Sequence, residues 1–218
     1  KAKRCRFVIL SNGDTHYFWD LNQNAEKIIL KFPTQKDLTK LLTATTAMSL
    51  SGIEIKDDWI VQSQGSVAEA DRKFLRDYQL DAINTISSKF DEGNRRFLLE
   101  MATGTGKTLL AAALIKLFLK TGNASRILFL VDRIELADQA SQNISSYLKE
   151  YNIAIFKENK EQALQNQVVI ATIQSLSYNQ NFLKYFSQFD FDLLISDEAH
   201  RSIYGNNRAI FEYFQGAK

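Results

Sequence analysis

Hydrophobic and polar positions follow two different rhythms along this chain, and the change falls near residue 70. In the first stretch, "CRFVIL" (residues 5–10) and "THYFWDL" (15–21) are β-rich runs on either side of Asn12-Gly13. Such a dipeptide between two such runs predicts a hairpin. "KIILKF" (27–32) predicts a third strand, stopped by Pro33. "TQKDLTKLLTATTAM" (34–48) has helical spacing, with Thr34 as its N-cap. Residues 49–70 are polar with little periodicity and read as a linker.

From residue 71 onward, helices alternate with strands. "LRDYQLDAINTISSKF" (75–90) is amphipathic, and "RFLLEM" (96–101) predicts a strand. "KTLLAAALIKLFLKTG" (107–122) predicts a helix ending at Gly122. Then come a strand in "RILFLVD" (126–132), a helix over 134–151 and a short strand in "NIAIF" (152–156). A strand in "QVVIATI" (167–173), a single helix over 174–186 and a strand in "DLLISD" (192–197) complete the series. These strands are apolar throughout, with no alternation, which predicts burial on both faces of a parallel sheet. The helices between them have the length of βαβ crossovers.

Composition narrows the classes. The chain has 218 residues, 45% hydrophobic and 24% charged, with a net charge of +2. Any nucleic-acid binding must therefore come from a local patch instead of a global field. A single cysteine, Cys5, excludes an internal disulfide framework and a Cys-based zinc site. It fits a reducing cytoplasm, where we expect the protein to act. No apolar run reaches membrane-spanning length, and no secretory signal is visible, so no membrane association is expected. The chain begins with Lys1, and we expect it to be a piece of a longer protein.

"MATGTGKT" (101–108) lies between the predicted strand and the predicted helix. Glycines there let backbone N–H groups point at an anion and let it approach closely. The helix N-terminus adds its dipole. Thr103, Gly104, Thr105, Gly106, Lys107 and Thr108 are the expected nucleotide cradle. Lys107 would reach the β/γ-phosphates and Thr108 would ligate Mg²⁺. The strict pattern opens on a glycine, and Met101 stands in that place. "DLLISDEAH" puts Asp197 and Glu198 at the carboxyl end of an apolar strand, the end that faces the ligand crevice in such sheets. Asp197 is expected to hold Mg²⁺ and Glu198 to polarise the attacking water.

A phosphate loop followed by "DEAH" resembles the superfamily 2 helicases and translocases. The resemblance implies a role for Gln79 of "LRDYQ" in reading adenine. It implies nucleic-acid contacts at Arg133 of "FLVDRIELADQ" and at Thr172 and Gln174 of "VVIATIQSL". His200 would couple the nucleotide site to a neighbouring lobe. Within the superfamily, "MATGTGKT", "VDRIELADQ" and "SDEAHRSIYG" together are most similar to the motor subunit of type I restriction enzymes. "RFVILSNGDTHYFWDL" (6–21) resembles the strand pair that closes that family's nuclease domain. Type III restriction motors and other duplex-DNA translocases or helicases are the near alternatives.

The expected architecture is α/β, a RecA-like phosphate-loop parallel sheet flanked by helices, with a small β-rich N-terminal appendage. Residues 1–48 would be the tail of a preceding nuclease-like domain, 49–70 a linker, and 71–218 the first RecA-like lobe, truncated at its C-terminal side. The family's Ser/Thr-Ala-Thr motif should follow "DEAH" and does not; "LTATT" (42–46) mimics it out of order. The second lobe and its arginine finger are absent as well. The resemblance implies Mg·ATP as cofactor and substrate, duplex DNA as track, and specificity and methylation subunits as partners. Two rivals differ in class. One is a nucleotide-gated scaffold without turnover. The other is a nuclease fragment using Glu54 and Lys56 of "GIEIKDD", which needs an upstream carboxylate; Asp37 falls in a predicted helix.

Overall fold

The computed structural model describes residues 5–22, 26–43, 48–60, 74–132, 134–157, 160–197, 208–214 and 216–218. The chain divides into two compact units, Lys1–Leu42 and Thr43–Lys218.

The first unit is a three-stranded antiparallel sheet, β1 (Phe7–Ser11), β2 (His16–Asp20) and β3 (Lys27–Ile29), followed by α1 (Gln35–Thr43). The hairpin forms where Asn12-Gly13 predicts it. Asn12 Oδ1 accepts from the backbone N–H groups of Asp14 (3.1 Å) and Thr15 (2.8 Å), and Gly13 adopts φ +99°. Thr34 caps α1 as expected: its Oγ1 accepts from Asp37 N–H (3.2 Å), and Asp37 accepts in return from Thr34 N–H (2.8 Å). Arg6 grips Asp20 with two hydrogen bonds, 2.9 and 2.8 Å. That guanidinium holds the nearly buried Asp20 carboxyl below its usual range.

The second unit is the α/β layer structure. Its elements are α2 (Asp77–Asp91), α3 (Lys107–Lys120), β4 (Ile127–Val131), α4 (Ile134–Tyr147), β5 (Ile153–Ile155), α5 (Lys160–Gln165), β6 (Val168–Thr172), α6 (Ile173–Ser177), α7 (Asn181–Tyr185), β7 (Leu193–Ser196) and α8 (Arg208–Tyr213). Four strands form a parallel sheet in the order β5-β6-β4-β7. The absence of alternation has the physical meaning expected of it. Ile127, Phe129 and Val131 join one core layer with α2, α3 and α4, while Leu128 and Leu130 join another with Phe156, Phe182 and Phe191. Every residue of β4 and β6 is buried.

Four expectations are corrected. First, "RFLLEM" is not a strand: residues 94–100 are exposed, Leu98 at 81%. A strand persists only where its backbone groups find ladder partners. The outer edge of β7 is met instead by the end of the chain, where Leu194 N–H donates to the Lys218 carbonyl (3.0 Å) and Lys218 N–H to the Asp192 carbonyl (2.9 Å). Second, the single helix over 174–186 is broken into α6 and α7 by Asn179 and Gln180, both left-handed at φ 48° and 53°. Third, the helix expected over 134–151 ends at Tyr147. Fourth, α5 and α8 form where no helix is expected.

Residues 48–60, within and beside the stretch read as a linker, pack on this unit. Leu50 and Ile60 are fully buried. The Asp91 carboxylate accepts from the N–H groups of Leu50 and Ser51 (both 3.0 Å) and from the hydroxyls of Ser49 and Ser51 (both 2.6 Å). Trp59 Nε1 donates to the Ala113 carbonyl of α3 (3.2 Å), and Lys116 and Lys120 lie over its ring.

Candidate functional site

The turn before α3 has the backbone of an anion cradle. Gly104 (φ +76°) and Gly106 (φ +80°) are both left-handed, and Gly106 is the N-cap of α3. Side chains rarely adopt that conformation, and left-handed residues among ordinary ones gather successive N–H groups into a concavity. Thr105 Oγ1 donates to the Ala102 carbonyl (2.7 Å), which tightens the turn. Thr103 and Gly104 are exposed, and Lys107 and Thr108 are half-buried in the first turn of α3. The sequence of α3 explains why it starts and holds there. Leu109, Leu110, Ala112, Ile115 and Leu117 are buried along it, so packing fixes the helix and thereby the loop.

Topology places this turn at the carboxyl edge of the sheet. Only residues 121–126 connect α3 to β4, so α3 runs antiparallel to β4 and its N-terminus lies at the carboxyl end of the strands. The strands end together there. Val131 is in register with Thr172, and Leu130 with Ser196. Asp197 follows at once, held by its N–H to the Leu130 carbonyl (2.9 Å). Asp132, Thr172 and Asp197 thus lie on one edge. A cleft of about 370 Å³ opens between α2 and residues 94–99, lined by Ile86, Lys89, Phe97 and Leu99 among others. None of residues 103–108 lines it.

Gln79 is brought to the turn before α3 and not to open solvent. It is 1% exposed. Its Nε2 donates to the carbonyls of Thr105 and Gly106 (both 3.1 Å), and its Oε1 accepts from Arg76 N–H (3.0 Å). Sequence reasoning assigns no role to its neighbour Tyr78, whose hydroxyl donates to the same Thr105 carbonyl (2.7 Å). The only signal in the sequence is a hydroxyl one position before the glutamine.

Thr172 and Gln174 differ in kind. Thr172 is 3% exposed and caps α6, its Oγ1 accepting from Ser175 N–H (3.0 Å). Gln174 is exposed on α6. Arg133, Glu198 and His200 lie outside the described residues. Glu54 and Lys56 form an open ion pair at 3.9 Å, 81% and 65% exposed, on a segment that is not a strand. Asp37 is engaged in capping α1. Among the described residues, no group of three or more His, Cys, Asp or Glu could hold a metal ion, and no helix is long and apolar enough to cross a membrane.

Comparison with known proteins gives the relationships. The family described as "Type III restriction enzyme, res subunit" matches residues 72–218. The type I restriction enzyme EcoAI endonuclease subunit of Escherichia coli is 31% identical over 217 residues, 97% of this chain and 26% of that protein. "Putative mitochondrial ATP-dependent helicase irc3" of Schizosaccharomyces pombe is 37% identical over 142 residues, 64% of this chain and 23% of that protein. The chain thus spans about a quarter of the length of either relative. The Sulfolobus solfataricus SWI2/SNF2 ATPase core, solved in complex with dsDNA, shares the fold: TM-score 0.56 at 17% identity, over 76% of this chain and 32% of that one.

Proposed function

The chain belongs to the family of the type III restriction enzyme res subunit, as a helicase-like first lobe resembling the motor subunit of type I restriction enzymes, and from that membership we propose that it binds Mg·ATP and helps drive translocation along duplex DNA. The single observation that carries the nucleotide half is the pair of left-handed glycines opening α3 at the carboxyl edge of a parallel sheet. The residues present fit the cofactor: a backbone concavity and Lys107 for phosphates, and the hard oxygens of Thr108 and Asp197 for Mg²⁺. Bound Mg²⁺ would neutralise charge on the phosphate oxygens.

In this reading Thr103–Thr108 hold the β/γ-phosphates through backbone N–H groups and the Lys107 ammonium. Glu198 accepts a hydrogen bond from the water that attacks the γ-phosphorus. Gln79 senses the adenine; because its amide is committed to Thr105, Gly106 and Arg76, base binding there requires it to exchange partners. His200 links the site to a second lobe, and that lobe supplies the arginine that completes it. Arg133 and Gln174 lie along the DNA backbone, and Thr172, buried as the cap of α6, serves that contact by fixing the helix start, so contacts are largely independent of sequence and weaken with salt.

The type I assignment rests on extent. The alignment with the EcoAI subunit runs through the N-terminal unit as well as the lobe, whereas the type III family match begins at residue 72. On that basis residues 1–48 are the tail of a nuclease-like domain, and specificity and methylation subunits are the partners. The irc3 relationship supports the second reading, a helicase or translocase outside restriction. Glu198→Gln in the full-length protein tests the ATPase role: ATP remains bound and turnover is abolished. Unchanged turnover sinks the assignment, and binding without turnover in the unsubstituted protein favours a nucleotide-gated scaffold.

A further inference from the structure

We infer that Tyr78 is a positioning residue for the phosphate loop, acting through the peptide plane between Thr105 and Gly106. The inference rests on the nucleotide-binding reading above and adds a residue to it. Tyr78 Oη donates to the Thr105 carbonyl at 2.7 Å, the shorter of the two side-chain hydrogen bonds on that oxygen. Arg76 Nη1 donates to the same Oη at 3.2 Å, so a guanidinium, a phenol and a carbonyl form one chain. A phenol that accepts from a cation becomes a stronger donor.

The consequence follows from peptide geometry. No peptide bond in the described residues is cis. In a planar trans peptide the C=O and the next N–H point in opposite directions. Holding the Thr105 carbonyl toward α2 therefore turns the Gly106 N–H away from α2. That N–H belongs to the set that must face an anion at the start of α3. At φ +80°, Gly106 has a wide choice of backbone states, and a loop free to choose would present this N–H only part of the time. Gln79 holds the same carbonyl but divides its amide between two carbonyl acceptors. Tyr78 is partly exposed and, among the described residues, its hydroxyl donates to this loop alone, so its ring can stay in place when the hydroxyl is removed.

Tyr78→Phe in this chain tests the inference by calorimetry with Mg·ATP and with Mg·pyrophosphate, alongside thermal melting and Lys107→Ala. Loss of one neutral hydrogen bond is expected to raise the Kd for both ligands about five-fold. The nucleotide-free melting temperature should stay that of the unsubstituted chain. Unchanged affinity in Tyr78→Phe, with binding still lost in Lys107→Ala, overturns the inference and leaves the proposed function intact. A loss for ATP alone, with pyrophosphate unaffected, assigns the effect to the base and also overturns it. A parallel fall in melting temperature makes Tyr78 structural only. No binding of Mg·ATP by the unsubstituted chain overturns both readings.

Discussion

Gln79 and Gly106 occupy each other's space: a Cβ built on Gly106 would come within 2.8 Å of Gln79 Nε2, the atom that donates to the Gly106 carbonyl. The start of α2 and the start of α3 are therefore fitted to one another through a position that only glycine satisfies.

The two loop glycines should respond differently to alanine. Gly104 has open space where a Cβ would go, so Gly104→Ala meets only left-handed strain, about 1–2 kcal/mol. Gly106→Ala meets that strain and also displaces Gln79. We expect the second to be the more destabilising by denaturant unfolding, with Mg·ATP affinity reduced at least about ten-fold in calorimetry.

Asp91 ties residues 49–51 to the end of α2, and its pKa is lowered. Desolvation opposes this, but hydrogen bonds from Ser49 and Ser51 and from the Ser51 and Leu50 amides outweigh it. A carboxyl with a depressed folded-state pKa contributes stability that is present above its unfolded value, about 4, and lost as pH falls below it. Urea unfolding at pH 7 and pH 3 should show that loss, and Asp91→Asn should flatten it. Hydrogen exchange should also find residues 48–60 less protected in Asp91→Asn.

Arg126 is a half-buried cation shared between strands and loops. It pairs with Asp190 (3.2 Å), donates to the carbonyls of Ala163 (2.6 Å) and Asn166 (3.2 Å), and lies over Phe191. Burial pulls its pKa down, while Asp190 and Asp192 oppose the shift. Arg126→Ala should cost about 3 kcal/mol, because two carbonyls and a carboxylate lose their partner together. Thermal unfolding checks this.

Turnover by this chain alone should stay near background with or without DNA. An arginine supplied from another lobe is worth about 10³-fold or more in phosphoryl transfer. Robust DNA-stimulated phosphate release by the isolated chain would show that no second lobe is required.

Much of this was legible in the chain itself. Uniformly apolar "ILFLV" and "VVIAT" announced strands buried on both faces, and "GTGKT" announced a glycine turn opening a helix, because both signals are local. The misses were long-range. "RFLLEM" has strand composition, but pairing depends on which segment meets the β7 edge, and there Lys218 does. The helix over 174–186 is broken at Asn179-Gln180 by backbone conformations that the apolar spacing does not encode. Ser49 and Ser51 looked like linker because their partner, Asp91, is some 40 positions away. The role of Tyr78 was hidden for the same reason: its acceptor is 27 residues on.

The most direct test of the central claim is Mg·ATP binding by calorimetry, comparing this chain with Lys107→Ala. We predict binding by the unsubstituted chain that disappears in the variant, while the fold is retained by circular dichroism. Equal binding by both, or none by either, would contradict the assignment of residues 103–108 as a phosphate cradle.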